Sequence, residues 1–244
     1  MKQNNSLICS IILLFLFTGP LASQEPEETE DWSGRPDIVT PGKRNHPPSD
    51  AIILFDGNDL SAWSGENGEP EWKVFGRSMT VVGGTGSIET KQRFGDVQLH
   101  IEWRAPRKVI GEGQERGNSG IFLMDLYEVQ VLDSYNNETY YNGQAGSIYK
   151  QHIPLVNACF KPGEWQTYDI IFTSPTFNED STLKSPGYLT VIHNGILIQN
   201  HVELKGPTVY IGQPSYKFHD EKLPLTLQDH GNPVSYRNIW IREL

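Results

Sequence analysis

From Arg116 to Asp133 the chain reads RGNSGIFLMDLYEVQVLD, two short strands joined by a tight break, with polar side chains recurring at every second residue. A period of two is a strand's period, and it throws alternate side chains to opposite faces of a sheet. Glu128 and Gln130 therefore project together, while Tyr127, Val129 and Val131 point the other way into a core. A carboxylate beside an amide on an exposed sheet face suits a ligand rich in hydroxyls.

The same alternation runs through much of the chain. Over Asp96 to Arg104, Val97, Leu99, Ile101 and Trp103 share one face and Gln98, His100, Glu102 and Arg104 the other, as in a half-buried antiparallel strand. YLTVIHNGILIQNHV predicts a hairpin, because Asn194-Gly195 supplies the positive φ angles of a two-residue type I′ turn. A second hairpin is expected between Leu225–His230 and Ser235–Arg242 through Gly231-Asn232-Pro233. Short aromatic and β-branched runs alternate with Gly, Pro and Asn clusters, and helical periodicity is scarce, so the fold class is all-β, a sandwich or barrel. Two long loops, from Pro106 to Asn118 and from Ser134 to Gly146, are expected to carry function, the second offering Tyr135, Tyr140 and Tyr141 for stacking. Trp63, Trp72, Trp103, Trp165 and Trp240 mostly fall in strand-like runs and read as core. Gly83-Gly84-Thr85-Gly86 lacks the Lys-Ser/Thr of a phosphate loop and reads as a turn.

Lys2, the apolar run Leu7 to Phe17, Gly19-Pro20 and the small residues Ala22 and Ser23 have the layout of a secretory signal peptide, residues 1–23. A Glu-, Pro- and Ser-rich leader, 24–50, is expected to follow, and a folded domain, 51–244. The expected localisation is periplasmic or extracellular, with no membrane span. With the signal removed, Cys159 is the remaining thiol, so stability must come from core packing rather than an internal disulfide. A net charge of −10 disfavours nucleic acid as a partner and fits a small neutral substrate such as a sugar. Oligomeric state is not legible.

Several segments carry a resemblance. FDGNDLSAW (Phe55 to Trp63), GNSGIFL (Gly117 to Leu123), YEVQVLD (Tyr127 to Asp133), AGSIYK (Ala145 to Lys150), GEWQTYDI (Gly163 to Ile170), HNG (His193 to Gly195) and LQDHGNPVSYRNIWI (Leu227 to Ile241) follow in order. Over Phe55 to Leu244 the chain resembles the 3-keto-disaccharide hydrolase domain family. The resemblance implies a concanavalin-like jelly-roll β-sandwich of two curved antiparallel sheets, and a substrate class of glycosides whose glucosyl unit is already oxidised to a ketone at carbon 3.

A ketone at carbon 3 acidifies the hydrogen on carbon 2, so a base of modest strength removes it and the enolate expels the glycosidic oxygen from carbon 1. Such chemistry asks for a base, a donor or cation for the enolate, and an acid for the leaving oxygen. Glu128 and His230 are the candidates for proton transfer, His230 sharing parity with Gln228 and Thr226, and Arg237 is the candidate cation. Asn118, Gln130 and Gln228 are expected to hold hydroxyls, Tyr149, Lys150 and His152 to line the mouth, and His100 and Glu102 to join the site if their strand neighbours Glu128. Asp133 has the opposite parity and is expected to anchor a loop. No cofactor is required. Zinc has no support from the Cys and His spacing, while an oxygen-ligated divalent cation such as calcium stays open. Two other functions compete: a non-catalytic carbohydrate-binding domain, and a retaining glycosidase on unoxidised glycans. The retaining mechanism needs two carboxylates about 5 Å apart, and the neighbour of Glu128 on its face is an amide.

Overall fold

The computed structural model describes residues 25–43 and 46–244, so the signal-peptide expectation lies outside the described residues. The chain divides into two compact units, residues 1–38 and 39–244. In the first, the described residues hold a single 3-10 turn, Pro26–Thr29, and Trp32 is exposed. The second holds both large sheets, and residues 39–50 belong to it.

Its strands are β1 (Ile52–Phe55), β2 (Trp63–Gly65), β3 (Lys73–Phe75), β4 (Ser78–Thr80), β5 (Ile88–Phe94), β6 (Val97–Arg104), β7 (Ser119–Leu123) and β8 (Tyr127–Val131). After the long loops come β9 (Gln166–Thr173), β10 (Thr176–Phe177), β11 (Leu183–Ser185), β12 (Tyr188–His193), β13 (Ile196–Glu203), β14 (Leu223–Leu227) and β15 (Ser235–Glu243). One sheet runs β13-β12-β9-β6-β15-β4-β3, with β1 also on β15, and the other runs β2-β5-β14-β7-β8. Every pairing within them is antiparallel, which gives the two-sheet jelly-roll sandwich of concanavalin type.

The core lies between the sheets and follows from the alternation. Tyr127, Val129 and Val131 on β8 and Ile121 and Leu123 on β7 are buried, as are Val97, Leu99, Ile101 and Trp103 on β6 and Tyr168, Ile170 and Phe172 on β9. Burying one such side chain contributes roughly 1.5–3 kcal/mol. The Asn194-Gly195 hairpin forms as expected, with φ of 52° and 79° between β12 and β13. The Gly83–Gly86 turn also forms, and the backbone N–H groups of Gly84 and Gly86 donate to Asp229 Oδ2.

The second expected hairpin does not form. β14 pairs with β5 and β7 in the five-stranded sheet, whereas β15 pairs with β6, β4 and β1 in the other. Residues 228–234 therefore cross from one sheet to the other, with Gly231 at φ 79° in the crossing. Within β15 the register slips between Arg237 and Trp240, and Asn238 stands at φ 48°. This bulge inserts one residue and resets the alternation. Tyr236, Ile239 and Ile241 stay in the core, and Trp240 is buried while stacking on His100; Trp165 departs from the expected core position, half-buried beneath the Arg104 and Arg237 guanidinium groups.

Candidate active site

β8 places Glu128 and Gln130 on the outer face of the five-stranded sheet, and the loops on either side wall them in. The result is a cavity of about 510 Å³ whose lining includes Glu128, Gln130, Asn118, Gln228, Tyr149 and His230, six of the residues expected from sequence. Gln114, Phe122, Tyr140, Thr208 and Tyr210 complete it. Tyr140 had a sequence signal in its loop. Phe122 on β7 had one too, since it shares parity with Asn118 just before that strand, and Gln114 lies in the first of the two long loops; Thr208 and Tyr210 come from a loop with no period to expose them.

Glu128 is 5% exposed, and burial pushes its carboxyl up to about 8. Its room depends on Gly120, its neighbour on β7, where an added Cβ would lie 2.6 Å from Glu128 Oε1 and 2.6 Å from Phe122 Cε2. Beside it, the Gln130 amide satisfies the acceptors it faces when Nε2 donates to Glu128 Oε1 at 3.0 Å and to the Ser119 carbonyl at 3.2 Å. Asn118, which also lines the cavity, is fixed by its Nδ2, which donates to the Gln114 carbonyl at 2.7 Å.

The far wall is aromatic. The Tyr140 and Tyr149 hydroxyls meet at 2.6 Å, and burial first, then their mutual hydrogen bond and charge in the Tyr149 case, holds Tyr149 above the ordinary tyrosine range. Both stay protonated and able to donate near neutral pH. Lys150 stands behind them, its Nζ donating to the Tyr210 carbonyl at 2.7 Å and lying 4.0 Å from the Tyr210 ring centroid and 5.5 and 5.6 Å from those of Tyr149 and Tyr140. His230 is exposed at the rim.

Four expected members lie elsewhere. His152 donates to the Glu203 carbonyl at 2.7 Å and does not line the cavity. Arg237, Glu102 and His100 belong to the other sheet, because β15 and β6 pair there and the crossing at 228–234 separates them from β14. They form their own cluster. Arg237 Nε donates to Glu102 Oε2 at 2.6 Å, Asn238 Nδ2 to Glu102 Oε1 at 2.9 Å, and His100 Nδ1 meets Asp169 Oδ1 at 2.7 Å. Arg237, Glu102, His100 and Asp169 line a separate groove with Trp165 and Trp240 and share no wall with the Glu128 cavity. Asp133 anchors a loop as expected, accepting from Arg116 Nε at 3.1 Å and from the Tyr135 N–H at 3.2 Å.

Among the described residues, no group of three or more His, Cys, Asp or Glu side chains is placed to hold a metal ion. Likewise, no described helix is long and apolar enough to cross a membrane.

A polar cavity on one face of a two-sheet sandwich, with a buried carboxylate among amides and tyrosines, defines a carbohydrate-active β-sandwich protein. The chain belongs to the 3-keto-alpha-glucoside-1,2-lyase-like domain family, whose pattern it matches over residues 50–242. It is similar, at 53% identity and a TM-score of 0.87, to a protein of Parabacteroides distasonis described as a "putative glycosyl hydrolase", with 91% of this chain and 98% of that one covered. Two further proteins of that organism, described in the same words, share the fold at 19% and 21% identity, with TM-scores of 0.58 and 0.56. Those alignments cover 80% of this chain and 94% and 99% of the others. No curated protein matches the chain. Family and relatives together support a function on glycosides.

Proposed function

We propose that the protein cleaves 3-keto-glucosides, including 3-keto-disaccharides, by elimination across carbons 1 and 2, with Glu128 as the base. The observation that carries this reading is a buried carboxylate with a proton affinity raised to about 8, set among neutral hydrogen-bonding groups at the floor of a sugar-sized cavity. A carboxylate of that basicity is far better matched to a carbon acid than an ordinary glutamate.

In the proposed reaction the Glu128 carboxylate takes the proton from carbon 2, and the C2–H electron pair moves into the bond to carbon 3, placing negative charge on the ketone oxygen. Of the Tyr140–Tyr149 hydroxyl pair, one donates to the other and the second donates its own O–H toward that charge, with the Lys150 ammonium behind them. When the charge returns, the C1–O bond breaks, a double bond forms between carbons 1 and 2, and the leaving oxygen takes a proton from His230 at the rim. Addition of water to that double bond completes a net hydrolysis. Gln130, Asn118 and Gln228 hold the remaining hydroxyls. Secretion to the periplasm or the cell exterior is part of the proposal, on the strength of residues 1–23.

A two-carboxylate glycosidase is less well supported. Across the sheet, Phe122 faces Glu128, Thr226 faces Phe122 and Glu89 faces Thr226 in one transverse row. At the usual inter-strand spacing Glu89 stands about 14 Å from Glu128, well beyond the roughly 5–9.5 Å of a glycosidase pair.

Incubation of the purified protein with an aryl 3-keto-glucoside tests the proposal. The expected result is aglycone release, an enone absorbance, and a primary isotope effect when carbon 2 carries deuterium. Release without loss of that deuterium would replace elimination by direct hydrolysis; no release from several such substrates would leave only a sugar-binding role.

A further inference from the structure

The cavity of Glu128 has a neighbour on the same sheet face. A second cavity of about 420 Å³ lies over β5, β14 and the β7 end, and it shares Phe122 and Gln228 with the first. The transverse row explains why they adjoin. Glu128 and Phe122 floor one, Phe122, Thr226 and Glu89 floor the other, and all four side chains leave the sheet on one side.

Two features of this second cavity point to a polar ligand. Thr226 is 8% exposed, and its Oγ1 is buried with no hydrogen-bond partner; Gln228 Oε1 is likewise without one. Buried polar atoms are normally paired, so two side chains that line the cavity while keeping an unpaired acceptor buried beneath it mark where an incoming donor fits, rotation about χ1 at Thr226 and of the terminal amide at Gln228 turning the oxygens to meet it. The walls are acidic as well. Glu66, Glu89 and Asp125 line it and no Lys, Arg or His does. Glu66 is fixed there, its Oε1 accepting from the Ser87 N–H at 3.1 Å.

We infer that this cavity is the leaving-group subsite, and that it takes an uncharged, hydroxyl-rich sugar unit and rejects a carboxylated one. The inference rests on the proposed elimination. The atom that loses its proton to Glu128 is bonded to the carbon that carries the leaving oxygen, so the departing unit starts two bonds from the carbon that Glu128 deprotonates. On the β8 side the tyrosines and Thr208 wall the first cavity, and on the β14 side it adjoins the second. Donors on the departing sugar meet Thr226 Oγ1 and Gln228 Oε1, and three carboxylates repel a uronate carboxylate.

The test compares three 3-keto-glucosides that differ only in what leaves: methanol, glucose, or glucuronate. For the wild type, kcat/KM is expected to be at least about tenfold higher for glucose than for methanol, and at least about fivefold higher for glucose than for glucuronate at low ionic strength. Thr226→Val is expected to remove most of the glucose advantage, read as the ratio of kcat/KM for glucose to that for methanol as leaving group. Glu66→Gln with Glu89→Gln is expected to bring glucuronate within about twofold of glucose. Equal rates for all three leaving groups, or an unchanged glucose-to-glucuronate ratio in the folded double variant, would overturn the subsite while the elimination itself stands. If no 3-keto-glucoside reacts, the elimination fails first, and calorimetric titration of the wild type with the neutral and uronate-ended disaccharides decides the subsite: equal affinity rejects it.

Discussion

Glu128 is held by burial rather than by a cation, and its neighbours fix what a substitution does. Glu128→Gln keeps the shape and the hydrogen bond to Gln130 but removes the base, so turnover of a 3-keto-glucoside is expected to fall by about 10²–10⁴-fold with the fold intact by circular dichroism. In the wild type, kcat/KM is expected to rise with pH through about 8 as the carboxyl ionises, and a rate that levels off below pH 6 would contradict the role. Gly120→Ala separates fold from function more finely. The two atoms its Cβ meets at 2.6 Å are the far ends of flexible side chains, Glu128 and Phe122, so the protein gives way by moving them. Melting temperature should shift by only a few degrees while activity drops at least about tenfold, since an ångström of misplacement costs about that much or more.

Among the elements, the β12–β13 hairpin was legible down to its turn residues, because Asn-Gly between two apolar runs has few other conformations open to it. Gly195 at φ 79° meets nothing within 4 Å, so Gly195→Ala tests backbone strain alone; it is expected to lower stability by about 1–2 kcal/mol in urea unfolding and to leave catalysis unchanged. The β14–β15 connection shows the limit of the same reasoning. Gly-Asn-Pro between two strand-like runs reads as a hairpin, yet a turn signal says only that the chain reverses, not that the strands it joins pair with each other. Alternation likewise assigns a residue to a face of its own strand and is silent on which sheet that strand enters. For this reason Glu128, Gln130, Asn118, Gln228, Tyr149 and His230 were found together, whereas Arg237, Glu102 and His100, of equally good parity, sit on the far sheet. The bulge at Asn238 was illegible for a related reason, a one-residue insertion that leaves no compositional mark.

At the scale of the whole molecule the two outer faces are independent, and Arg237→Ala distinguishes them. It removes the guanidinium from Glu102, whose side chain is 5% exposed and still meets the Asn238 amide, so a loss of about 2 kcal/mol of stability is expected, below the range for a fully buried pair because Arg237 is itself 35% exposed. Turnover should remain within about threefold of wild type. Stability should also vary with pH in a way two buried groups set. Glu128 is raised from 4.5 to about 8, so the native state holds a proton the unfolded chain lacks, and stability falls as pH climbs through that window. His193 is lowered from 6.5 to about 3 by burial, so stability falls as pH drops through its window. The slopes oppose each other between 4.5 and 6.5, giving a plateau there in melting temperature with declines on both sides; Glu128→Gln should remove the alkaline decline. Lys150 works on this scale too. Its ammonium joins the segment that carries Tyr140 and Tyr149 to the segment that carries Tyr210 at the cavity mouth, and the Gln151 side chain joins them again, donating to the Gly206 carbonyl at 2.9 Å and accepting from the Lys205 N–H at 2.8 Å. Acylating that amine would take the positive charge from behind the tyrosine wall while the glutamine still tied the two segments, so the pocket would keep its outline and lose its field.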